Sequence, residues 1–114
     1  MSDPLSEPLA AYAATAQCWH DLRGDARAAN AVFDANERLA RELRTSDEGR
    51  AAITALIDHP ASGVRVLAAA HALDFCGHAA VAALEDLARG EGLHAIAAAH
   101  ALEQFRAGTL ELDG

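Results

Sequence analysis

The chain contains no lysine at all, and among its 114 residues only three prolines, one tryptophan, one tyrosine and three phenylalanines. Aromatic and β-branched side chains are the preferred material of strands, and with valine, isoleucine and threonine scarce too, a β-rich fold is excluded. Two cysteines, Cys18 and Cys76, are too few for a disulfide scaffold. They read as reduced thiols, which makes a cytoplasmic location the expectation. The stretch from Met1 to Glu7 has neither a basic segment nor a long apolar core, so no secretion signal is expected there. No apolar run approaches the ~18 residues of a membrane span. Positive charge is short as well, with nine arginines against seventeen acids and a net charge of −8. That sign repels phosphate backbones and anionic lipid, so neither nucleic acid nor a membrane surface is an expected partner.

What is abundant is alanine, thirty residues, and leucine, fourteen. Both are strong helix formers, and an all-α fold follows. The length fits one domain, residues 1–114.

Punctuation divides the chain into six helices. The first is expected from about Leu5 to Arg23, with Leu5, Leu9, Tyr12, Ala16, Trp19 and Leu22 on one face and Gly24 as its stop. Asp25 is placed to cap the second, whose apolar stripe holds Ala29, Val32, Phe33, Asn36, Leu39, Ala40 and Leu43. Its other face, with Glu37, Arg38, Arg41, Glu42 and Arg44, reads as solvated. A loop of Thr45, Ser46 and Asp47 supplies capping side chains for a third helix, Glu48 to Asp58, which His59-Pro60 ends. Ser62 is expected to cap the fourth, running through Phe75 to a stop at Gly77. The fifth stops at Gly90, and the sixth spans Leu93 to Arg106 with a stop at Gly108. Short loops between them imply antiparallel neighbours.

The strongest internal signal is a repeat. Ala68-Ala69-Ala70-His71-Ala72-Leu73 recurs letter for letter as Ala97-Ala98-Ala99-His100-Ala101-Leu102, and Gly63 with Gly92 and Asp74 with Glu103 keep the same register. Periods of 20–50 residues in helical segments indicate stacked hairpins, because one hairpin cannot bury its own apolar face. Three are expected: an N-terminal hairpin over 1–46 and repeat hairpins over 47–77 and 78–110, followed by a short tail, 111–114.

The run Pro60, Val64-Arg65, Ala68-Ala69 and Ala72-Leu73 resembles the inner-helix pattern of HEAT repeats. More narrowly, Gly24-Asp25 with Ala28-Ala29-Asn30, Glu42-Leu43-Arg44, Leu56-Ile57-Asp58-His59-Pro60 and the segment Val64 to Leu73 resemble a family of small bacterial HEAT-like proteins with no assigned function. Leu102, Phe105-Arg106 and Gly108 fit it too. The resemblance covers about three quarters of the chain and implies a HEAT/armadillo-like α-α superhelix. It departs where an acid and a tryptophan are expected in the last helix and this chain has Ala99 and Phe105. It implies a fold and no activity.

Candidate chemistry is sparse. Six histidines occur, but none in a His-Glu-x-x-His run or other metal-ligand spacing, so packed or surface imidazoles are expected and no metal or cofactor. Cys18-Trp19-His20-Asp21 brings a thiol, an imidazole and a carboxylate together in sequence, yet successive helical residues fan apart and cannot assemble a nucleophile with its base. Cys18 is therefore read as a packing residue. Asn36 on the apolar stripe and Asn30 near it are expected to serve as structural amides bonded to neighbouring backbone.

Residues 51–114 hold eight acids and three arginines, a net of −5. Within them Glu85, Asp86, Glu91 and Glu103 form the candidate partner-binding surface, for a basic protein. The expected function is thus a non-enzymatic protein–protein interaction module, with a bacterial immunity or antitoxin protein as its narrower form. Self-association as a homodimer through the terminal Leu110 and Leu112, and a small-ligand or lyase-type HEAT domain, are the alternatives.

Overall fold

A computed structural model of the protein describes residues 6–22 and 25–108. Six α-helices follow in order: α1 (Ser6–Asp21), α2 (Ala26–Leu43), α3 (Asp47–Ala55), α4 (Ser62–His71), α5 (Gly77–Ala88) and α6 (Leu93–Ala107). A 3₁₀ turn, Leu56–Asp58, continues α3, and no strand occurs among the described residues. The fold is all-α, as the alanine and leucine content requires.

Local chemistry sets most boundaries. The carboxylate of Asp25 accepts a hydrogen bond from the Ala28 amide at 3.1 Å and starts α2, and the Ser46 hydroxyl does the same for α3 through the Gly49 amide at 3.0 Å. His59, extended before Pro60, closes the 3₁₀ turn. Gly108, at φ 73°, ends α6 in the left-handed conformation that a residue with a Cβ rarely adopts. The expected stop of α1 at Gly24 and the tail from 109 onward, with Leu110 and Leu112, lie outside the described residues.

Three expectations are corrected. Ser62 does not cap α4: Ala61 is the N-cap residue without a side-chain bond, and Ser62 is already the first helical residue. The capping task passes to His20 on α1, whose Nδ1 accepts the Gly63 amide proton at 2.9 Å. Helix α4 ends at His71, so Ala72 to Phe75 are turns and Gly77 opens α5 instead of ending α4. The solvated face expected on α2 is interrupted as well, because Arg44 is 8% exposed and ion-pairs with Asp74.

Helix α4 is the centre of the fold. Seven of its ten residues are buried (Gly63, Val64, Val66, Leu67, Ala68, Ala69 and His71), and it packs against α1, α5, α6 and the 3₁₀ turn. Around it α1 pairs with α2, and α5 with α6. Alanine makes the close packing possible: Ala16, Ala68, Ala69, Ala72, Ala80 and Ala98 are wholly enclosed, between larger anchors such as Tyr12, Leu43, Ile53, Val64 and Leu84. At Gly63 α4 and α1 approach closely, since a Cβ there would lie 2.5 Å from the His20 Cβ. The two copies of the repeated hexapeptide therefore occupy different places: the first runs off the end of α4 into a turn, and the second lies wholly inside α6.

Candidate functional site

Polar chemistry concentrates in three places. The first is a buried relay across α1, α2 and α4. The Tyr12 hydroxyl lies 2.7 Å from His71 Nδ1, and His71 Nε2 lies 2.6 Å from Glu37 Oε1. Tyr12 is wholly buried and His71 is 3% exposed. Burial drives the Tyr12 phenol far above its ordinary value, the neighbouring Glu37 charge adds to this, and Arg44 opposes it. Burial also pushes the Glu37 carboxyl up, but the hydrogen bond and charge of His71, with Arg41 and Arg44 nearby, outweigh it and hold the group below its ordinary value. A carboxylate only accepts, so His71 Nε2 carries the proton donated to Glu37, and when the imidazole is neutral the phenol donates to Nδ1. Next to this relay Asn36, also wholly buried, donates from Nδ2 to the Tyr12 carbonyl at 3.1 Å and to Thr15 Oγ1 at 2.9 Å. The relay has the order of an acid–imidazole–hydroxyl triad, but its hydroxyl is enclosed. It ties three helices together and offers a substrate no access.

The second place is the α5–α6 surface, where the acids singled out from the sequence lie. A groove of about 680 Å³ runs there, lined by the apolar Ala88, Ala99, Leu102 and Ala107 and by the charged Glu85, Arg89, Glu103 and Arg106. Glu85 is 3.5 Å from Arg106, and Asp86 is 2.9 Å from Arg65 and 3.8 Å from Arg89. Arginines thus offset two of the four acids. Glu91 and Glu103 are exposed and make no ion pair among the described residues. Asp86, in the last turn of α5, and Glu91, in the loop after it, line a second hollow shared with Ser62 and His94. The structure therefore divides the four between two adjoining hollows of one face.

The third place was not legible in the sequence as a site. Trp19 and Leu22, expected in the packed face of α1, line an open groove of about 450 Å³. Its second wall comes from α2, with Ala26, Ala29 and Asn30, and its third from α6, with His94, Ile96, Ala97 and His100. The Trp19 and His94 ring centres are 5.1 Å apart, and His20 stacks on His94 at 4.8 Å with an interplanar angle of 26°. Trp19 also meets Phe33, with ring centres 6.4 Å apart. Ser62, freed from capping, places its Oγ 2.7 Å from His94 Nδ1 and holds that ring. Asn30 departs from the structural role expected of it: it is exposed, lines this groove and makes no side-chain hydrogen bond among the described residues.

Elsewhere the candidates disperse. His71 is buried while its repeat equivalent His100 is exposed, and His78 is exposed. Cys18 is exposed rather than packed, because Trp19 takes the inward position, and Cys76 is half-buried. Among the described residues no three His, Cys, Asp or Glu side chains gather as a metal-binding group. No described helix is long and apolar enough to cross a membrane. The chain matches no protein-family model, no curated protein and no solved structure.

Proposed function

We propose that this chain is a non-enzymatic protein-interaction module that binds a basic protein on its α5–α6 face. The observation that carries this reading is the make-up of that face, where Ala88, Ala99, Leu102 and Ala107 line one groove together with the charged Glu85, Arg89, Glu103 and Arg106. Protein interfaces likewise combine apolar contact area with charged and polar side chains. The net charge of −8 supplies the sign of the partner, since a basic protein is steered toward it. Neutralisation of a basic toxin by a small HEAT-like bacterial immunity protein is the narrower form, consistent with the repeat pattern around Val64-Arg65.

The charges that matter most are Glu91 and Glu103, because Glu85 and Asp86 already serve intramolecular arginines. The experiment is affinity purification of the tagged chain, reconstitution with the purified basic protein recovered, and measurement of association rates. Reversing both Glu91 and Glu103 to arginine slows association about tenfold at low salt and much less once the Debye length falls below ~8 Å. Recovery of only acidic or neutral proteins, or a rate indifferent to salt, refutes the reading.

A further inference from the structure

We infer that the α5–α6 face pairs with the same face of a second copy of this chain, so that the free protein is a homodimer. The pairing stands on the face alone. Its consequence, that a basic partner must displace the second copy, rests on the docking reading above.

The face is continuous. Gly77, Val81, Glu85 and Ala88 follow one another at steps of four, four and three, which is one side of α5 along its whole length. They line the groove of about 680 Å³ and a smaller hollow of about 350 Å³, which share Glu85 and are completed by α6. Phe105 lines the smaller hollow and is 37% exposed, one of three large apolar side chains so exposed among the described residues. Ala82 and Ala99 are exposed there too, and such small side chains let the helices of two molecules approach closely.

Charge selects the occupant. The whole chain carries −8, yet the charged side chains lining the larger groove cancel, Glu85 and Glu103 against Arg89 and Arg106. A face with equal numbers of acids and arginines can complement itself, because in a two-fold pair residue i meets j while j meets i. Two of the four charges have capacity to spare. Glu103 makes no ion pair among the described residues. Arg89 reaches Asp86 only at 3.8 Å, an acid that Arg65 already holds at 2.9 Å, and its side chain is 75% exposed. Both line the same groove, so a two-fold axis through it brings Arg89 of each copy to Glu103 of the other. Negative charge elsewhere on the two copies is screened beyond ~8 Å at physiological salt. Arg89 of the second copy thus takes the carboxylate that a basic partner needs.

Sedimentation and light scattering of the full chain, from micromolar to millimolar in physiological salt, test the pairing. The expected result is a monomer–dimer equilibrium. Glu103→Arg and Arg89→Glu each set like charges against one another twice, and each weakens the dimer about tenfold or more. Both positions are exposed, so the helical circular dichroism of the variants is that of the wild type. Mixing the two variants in equal amounts restores a heterodimer of wild-type strength, since both contacts then join opposite charges. A chain monomeric at every concentration overturns the inference, as does a dimer indifferent to either variant or a mixture that stays monomeric. The docking reading fails separately. A dimer of this kind with no basic protein recovered removes that reading alone, and a strictly monomeric chain that captures one removes the pairing alone. Where both hold, the basic partner dissociates the dimer; a partner that binds the intact dimer overturns the shared face. Dilution empties the dimer by mass action, so association rates measured at high dilution are those of the monomer.

Discussion

Replacing Tyr12 by phenylalanine removes one oxygen from the buried relay and leaves the packed ring in place. His71 Nδ1 then loses the hydroxyl that lies 2.7 Å away, and at 3% exposure His71 has little recourse to water. A buried acceptor left unsatisfied costs about 1–3 kcal/mol. In a domain of this size each kcal/mol moves the melting midpoint by roughly 4–8 °C, so a fall of about 5–15 °C is expected. The internal control is His100→Ala. His100 has the same letter in the same repeat register, but it is exposed, and its loss changes stability by no more than about 0.5 kcal/mol. Thermal melts followed by circular dichroism compare the two, and nitrogen NMR of the imidazole reads the Nε2–H tautomer that the Glu37 carboxylate imposes. A Tyr12→Phe protein melting with the wild type, or a His71 protonated on Nδ1 alone, would refute the relay.

Acid weakens the same relay in a definite sense. The folded Glu37 carboxyl titrates below its ordinary value of about 4.5, so its contribution is present above that value and is lost as pH falls through the folded one; the difference in midpoint between wild type and Glu37→Gln closes on acidification through that range. Leucine at Ala69 or Ala98, both wholly enclosed, overpacks the core and costs about 1–3 kcal/mol, whereas leucine at the exposed Ala99 is neutral in the same melt. Gly63→Ala forces a Cβ to 2.5 Å from that of His20 and lowers the midpoint by a comparable amount. Chelator and reductant each leave the helical signal and the midpoint unchanged; a loss under chelation would make ligands of the histidines.

Features that depend on neighbours in sequence were the legible ones. Asp25, Ser46, Pro60 and Gly108 punctuate helices through bonds or dihedrals spanning a few residues, and each stands where its chemistry placed it. Features that depend on distant partners were not. Glu37 belongs to a charged stretch and reads as solvated until His71, thirty-four positions later, is folded against it. Arg44 is drawn inward by Asp74 in the same way. Ser62 looks like a cap because nothing local reveals that His20 reaches α4 first. The hexapeptide identity marks repetition without marking equivalence, since one copy ends a central helix and the other lies within the last one. Of the candidate partner-binding acids, sequence placed all four in one region, but only folding brought Arg65 and Arg106 against two of them. The Trp19 groove escaped because periodicity assigns a side chain to a face and cannot say whether the opposite wall is large enough to close it.

The most direct test of the docking role is the association rate of the reconstituted basic partner, measured at low and high salt for the wild type and for the Glu91→Arg, Glu103→Arg double variant. The account predicts a fast, salt-sensitive wild type and a variant slowed about tenfold at low salt with an unchanged melting midpoint, because rim charges govern encounter more than stability. Equal rates for the two proteins at every salt concentration would contradict it.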